Sequence, residues 1–182
     1  MTAKSAKRKA PPRKRASSSS NARKNPVVSR PVLPASYGVK TGDKGLLDWS
    51  WARERLTKSK NYVIVTVYPG GRPHAMGMHG IWFEEAFYFG TGKKTCKAKN
   101  LAENPRCIII NDQIEELAIV EGIAEIIAFA DLPKGASEAT HKKYGWPLHE
   151  GRDSSIYRVR PTKVFGIPMM QFGTAFTRWK FR

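Results

Sequence analysis

The chain of 182 residues has little cysteine, no acidic residue in its first thirty positions and no long apolar run, and each shortage narrows what it can be. Its two cysteines, Cys96 and Cys107, form no CxxC pair. A disulfide framework or thiolate zinc site is therefore not expected, and free thiols in a reducing cytoplasm are. The longest apolar stretches, residues 107–110 and 119–130, are too short, or too interrupted by Glu121 and Glu125, to cross a bilayer as a helix. No GxSxG elbow, HExxH pair or Walker loop occurs, which leaves hydrolase and nucleoside-triphosphatase readings without an anchor.

What the chain has in excess is positive charge. Lys and Arg number 32 against 15 Asp and Glu, a formal charge of +17. Ten of those basic side chains fall in residues 1–30, leaving +7 for the remainder. Built from Lys, Arg, Ala, Ser and Pro, that segment has too little apolar area to offset the entropy of ordering it, so a disordered basic tail is expected over 1–30. A clustered basic tail attracts polyanions weakly, with steep salt dependence, and can associate the protein with nucleic acid. A solubilising leader without a specific partner is the simpler reading, and a localisation signal is a further alternative. Residues 31–182, in a chain that is 41% hydrophobic, suffice for one domain with its own core.

Along that domain, residues 31–45 are rich in Pro and Gly and read as a wrapping segment. Asp48 can cap a helix running to about Lys58, with Leu47 and Trp51, and Ala52 and Leu56, as neighbours four apart. Residues 61–68 alternate as a strand, and Pro69, Gly70 and Gly71 signal a turn. Residues 73–83, a turn at Glu84 and Glu85, and residues 86–91 complete an expected three-stranded meander. A Gly-containing loop then opens a short helix that Pro105 ends. Residues 106–111 and 115–129 read as strands, the second bent at Gly122. A helix over 132–144 and strands over 156–167 and 174–181 close the chain. Six to seven antiparallel strands with two to three short helices favour a closed or partly closed barrel over a parallel α/β sheet.

Certain motifs recur in order: Gly71-Arg72-Pro73-His74, Tyr88-Phe89-Gly90-Thr91, Thr95-Cys96-Lys97, Asn100-Leu101, Asn104-Pro105 and Val120-Glu121-Gly122. In this order and spacing they resemble the pyridoxamine 5'-phosphate oxidase family. The ending Thr177-Arg178-Trp179-Lys180-Phe181 is similar to that of one uncharacterised branch. The resemblance implies a split β-barrel that dimerises, with FMN at the subunit interface and an oxidoreductase activity on an unknown small molecule. The deazaflavin coenzyme F-420 is the alternative cofactor, and relatives of the barrel are also associated with haem.

It further implies that the phosphate is held near Lys94, Thr95 and Lys97, with Lys93 and Lys99 nearby. A helix N-terminus there would favour an anion on physical grounds too. By the same resemblance Arg72, His74, Met76, Met78 and Thr91 neighbour the ring or substrate, Asn100 belongs to the site, and Arg178 and Trp179 come from the second subunit. Read without the resemblance, the methionines suit core packing and Asn100 suits a helix-surface or capping role. Cys96 stands where the family usually has arginine, His79 where an aromatic is frequent and Gly77 where proline is. The tryptophan expected near Phe165 is missing, which argues against vitamin B6 as substrate. His74 and His79, an odd number apart on one expected strand, should face opposite ways and share no metal. Glu121 and Glu125 share a strand face, for which solvent exposure is sufficient reason. No catalytic residue is assigned, because flavin chemistry resides in the ring.

Overall fold

A computed structural model describes residues 26–148 and 151–182; most of the segment expected as a tail lies outside them. Nine strands form one antiparallel sheet. They are β1 (Val27–Ser29), β2 (Tyr62–Val67), β3 (Pro73–Met78), β4 (Ile81–Phe83), β5 (Ala86–Gly92), β6 (Arg106–Asn111), β7 (Glu116–Ile127), β8 (Ser154–Pro168) and β9 (Thr177–Lys180). Hydrogen bonding runs β1-β9-β8-β7-β6-β2-β3, with β5 on β8 and β4 on β5. Among the described residues no strand pair joins β3 to β4 or β5, so the barrel is split and open along β3.

Local chemistry accounts for most of the elements. The Asp48 carboxylate accepts from the Ser50 N–H at 2.8 Å and starts α1 (Trp49–Lys58), which buries Ala52 and Leu56. Strand β2 alternates, with Tyr62, Ile64 and Thr66 inward and buried. Their neighbours Phe87, Phe89, Ile109, Val120, Val159 and Trp179 complete the main core. A smaller apolar cluster, with Ile81, Tyr88, Ile127, Ala136 and Ile156, lies beside α3 (Ala136–Tyr144). The bend foreseen at Gly122 is a shift in the β7–β8 register between Glu121 and Gly122.

Three expectations are corrected. The strand foreseen over 73–83 divides into β3 and β4, because the backbone at Gly80 presses on Phe87; a Cβ there would lie 2.4 Å from the Phe87 Cζ. Strand β3 therefore pairs with β2 and β4 with β5, and there is no three-stranded meander. The last strand starts at Thr177 rather than 174, since Phe172–Ala175 form a helical turn, α4, with Phe172 stacked on Phe176. Residues assigned to the tail also join the domain. Val27–Ser29 pair with β9, and the buried Arg30 guanidinium donates to the carbonyls of Gly42 (2.9 Å) and Lys44 (2.8 Å). These changes raise the strand count from six or seven to nine.

Candidate functional site

The opening beside β3 leads into a crevice of about 380 Å³ bounded by the β3–β4 junction, the end of β5, the start of α2 (Cys96–Glu103) and the C-terminal end of α3. Among the described residues lining it there is no carboxylate. Gly77 and Gly90 keep its floor low: a Cβ on Gly77 would meet nothing within 4 Å, and one on Gly90 only Leu148 at 3.9 Å.

Of the expected site residues, Met78, Thr91 and Lys97 line this crevice. Lys97 occupies the first turn of α2, half-buried, with no hydrogen-bond or ion-pair partner among the described residues. Thr95 is the N-cap of α2. Its hydroxyl donates to the Gly92 carbonyl at 2.8 Å, accepts from the Ala98 N–H at 3.3 Å and lies 3.2 Å from the Thr91 hydroxyl. With the Thr95 proton committed to Gly92, Thr91 is the donor of that pair. An entering anion could draw the Thr91 proton to itself, exchanging a neutral hydrogen bond for a stronger charge-assisted one. Lys93 and Lys94 are exposed, and the Lys93 ammonium donates to the Arg152 carbonyl at 3.0 Å.

A second group flanks the crevice along β3. His74, Met76 and Met78 share one face of the strand, opposite Thr66, Ile64 and Tyr62 of β2. Met76 is 48% exposed because no strand covers that face beyond the edge. Asn100 is buried on α2 rather than on its surface. Its amide donates to the Thr66 hydroxyl at 3.0 Å, and that hydroxyl lies 3.3 Å from the His74 Nδ1. Arg72 stacks on Tyr68, 4.4 Å from the ring centre, and Tyr68 meets His74 edge-on. A hydrogen bond with Cys96 raises the Tyr68 pKa, helped by desolvation. His79 falls beyond the end of β3, so strand parity does not govern its direction relative to His74.

Arg178 and Trp179 are not brought to the crevice. The Arg178 Nε donates to the Ser29 hydroxyl at 3.1 Å, and Trp179 is fully buried in the core against Trp49. Glu121 pairs with Lys163, and Glu125 with Arg158 and Arg160, so neither carboxylate is available for acid–base work.

Sequence reasoning missed an aromatic wall in the same crevice as Lys97. His79, Tyr144 and Trp146 contact one another there, with ring centroids 4.9 to 5.6 Å apart. The Tyr144 hydroxyl bonds to the Gly80 N–H (3.2 Å) and to the carbonyls of Gly80 (2.7 Å) and Lys60 (2.6 Å). Behind it the Lys143 ammonium donates to the Tyr62 hydroxyl (2.8 Å) and the Thr57 carbonyl (3.1 Å). Burial lowers its pKa to about 8, against an opposing pull from Asp112. The aromatic clustering of residues 144 and 146 was a usable signal, but nothing local to the sequence ties it to His79.

The family model for pyridoxamine 5'-phosphate oxidase matches residues 51–167. Among solved structures the chain is similar to an F-420 reductase, at 25% identity and a TM-score of 0.49, covering 62% of this chain and 94% of the other. It is also similar to general stress protein 26 of Bacillus anthracis str. Sterne, at 20% identity and a TM-score of 0.54, covering 65% and 92%. A candidate pyridoxamine 5'-phosphate oxidase of Listeria innocua aligns at 17% identity and a TM-score of 0.51, covering 64% and 93%. No curated protein matches the chain.

Proposed function

Because the chain belongs to the pyridoxamine 5'-phosphate oxidase family, we propose that it is an FMN-binding oxidoreductase that reduces or oxidises a small molecule in the β3-side crevice. The observation that carries this reading is the half-buried Lys97 on the first turn of α2, which shares the crevice lining with Thr91 and has neither a hydrogen-bond or ion-pair partner nor a lining carboxylate among the described residues. A cation left without a counter-charge at a helix N-terminus favours a phosphate there. The α2 cap supports the same geometry: Thr95 takes the Ala98 N–H, while an α-helix leaves its earlier N–H groups without intrahelical partners.

The residues present fit such a group. Lys97 and Thr91 would hold its phosphate, and the shared face of His74, Met76 and Met78 would flank its ring, with Arg72 at the outer end of the strand. Bound flavin supplies the electron-transfer chemistry. The chain's own residues anchor the phosphate, shape a low glycine floor and keep water from one face of the ring. Asn100 serves indirectly, holding Thr66 and through it His74.

A homodimer suits the outer face of the sheet. Val63 lies opposite Ile110, Val65 opposite Ile108, and Ile110 opposite Ile119, on the side facing away from the buried core. A soluble antiparallel sheet ordinarily alternates apolar and polar here, so apolar residues on both faces call for a second covering surface. The basic residues before Pro26 add weak polyanion binding. Removing residues 1–25 should lower that affinity at low salt and flatten its salt dependence.

Titration of the full-length protein with FMN tests the cofactor assignment. Lys97→Met should weaken binding about ten- to hundredfold, as expected for losing a hydrogen bond to a charged group. Tighter uptake of deazaflavin than of FMN would reassign the cofactor to coenzyme F-420. Colourless protein that takes up neither would overturn the reading.

A further inference from the structure

The wall formed by His79, Tyr144 and Trp146 is larger and more exposed than its role in packing requires. Tyr144 adjoins the smaller core cluster, but Trp146 is 50% exposed and His79 is exposed. Tyr144 and Trp146 stack at 25°, while His79 stands at 59° to the first and 77° to the second. The three rings therefore make a corner rather than a long flat platform. Tyr144 is held in place before any ligand arrives, because its hydroxyl accepts from the Gly80 N–H and shares its proton between the Gly80 and Lys60 carbonyls, while Lys143 ties α3 to the end of α1. A ring already immobilised gives the exposed His79 and Trp146 rings a fixed support to pack on, which lowers the side-chain entropy lost when a ligand binds. The exposed face of the Trp146 indole can continue the stack by one more ring, and an aromatic edge can meet His79.

Building on the crevice as the cofactor site, we propose that this corner is the specificity-determining subsite for a planar aromatic substrate of one or two fused rings. The phosphate anchor at Thr91 and Lys97 comes from β5 and α2, whereas the corner comes from the β3–β4 junction and the end of α3, so different elements hold the two. With no carboxylate among the described lining residues, neutral and anionic aromatics are admitted and cationic ones gain no counter-charge.

The probe is naphthoate, a planar bicyclic carboxylate, compared with its saturated decalin counterpart. Both are titrated by tryptophan fluorescence against the full-length protein, with and without FMN. Naphthoate should quench the wild-type signal and bind more tightly than the saturated acid. Trp146→Leu should lose affinity for naphthoate about fivefold, the scale of one aromatic pair, and leave the FMN dissociation constant unchanged. His79→Leu, at an exposed position, should lower naphthoate affinity in the same direction and guards against a folding defect specific to the first variant. If naphthoate and FMN affinities fall together, the corner belongs to the cofactor and the proposal is overturned. It is also overturned if naphthoate binding is unaffected by both variants, or is matched by the saturated acid. A protein that binds naphthoate through Trp146 but takes up no flavin would sink the cofactor reading while sparing the subsite.

Discussion

Lys143 directs its ammonium into a group of oxygens and rings, with Tyr62 and Tyr144 stacked around it and Asp112 as the nearby acid. Its pKa in the folded protein, about 8, lies below the ordinary 10.5. Between those values the unfolded chain binds more protons than the folded one, so stability should rise with pH from about 8. Burial raises the Tyr62 and Tyr144 pKa values, which acts in the opposite direction above about pH 10. Urea denaturation should show a gain between about pH 8 and 9 that Lys143→Met abolishes; above about pH 9 the buried Cys107 thiol, its pKa pushed up to about 12, offsets that gain. Asn100 presents a different case, since its amide supplies the buried Thr66 hydroxyl with a donor. Asn100→Ala should cost about 1–3 kcal/mol in thermal unfolding, the penalty of an unmatched buried polar group. Residue chemistry of this kind was only partly legible in the chain. Lys97 stood out because helix-start chemistry is local, whereas nothing near Asn100 discloses Thr66, thirty-four positions earlier. Trp179, expected at the site from the second subunit, is fully buried in its own chain's core, where its ring approaches Gly166 closely.

Helices and strands with local signals were the more readable elements. Capping by Asp48 placed the start of α1, a Gly-containing loop and Pro105 bracketed α2, and strict alternation placed β2. The β3–β4 break was hidden, because it depends on contact between Gly80 and Phe87 rather than on any turn residue. Substitution at the β7 bulge measures how much such contacts matter. A Cβ at Gly122 would lie 2.6 Å from the Val159 Cγ1 and 2.7 Å from the Arg160 carbonyl oxygen. Gly122→Ala should therefore destabilise the sheet by about 1–3 kcal/mol, read from the shift in a denaturation midpoint. Thr95→Val keeps the side-chain shape but removes the cap. It should cost about 1 kcal/mol and increase hydrogen exchange in α2 before the rest of the domain.

At the scale of the whole molecule, the proposed dimer rests on the apolar strip outside β2, β6 and β7. Val63→Asp at its exposed edge should convert a dimer to monomers in sedimentation experiments while leaving the circular dichroism of the sheet unchanged; an unaltered sedimentation coefficient would remove this strip from the interface. Composition alone did not show that the sheet reaches back into the first thirty residues, because Val27–Ser29 gain their partner from β9 at the far end of the chain. That pairing sets Val27 directly opposite Lys180, so the two extremities of the barrel are already neighbours. A short flexible linker could join them, and new ends could be cut at the exposed Gly70-Gly71 turn, where both residues have positive φ and a Cβ on either would meet nothing within 4 Å. The resulting circular permutant would translate its strands in a different order yet keep every contact around the crevice, making the molecule a candidate for insertion into a host protein as a cassette.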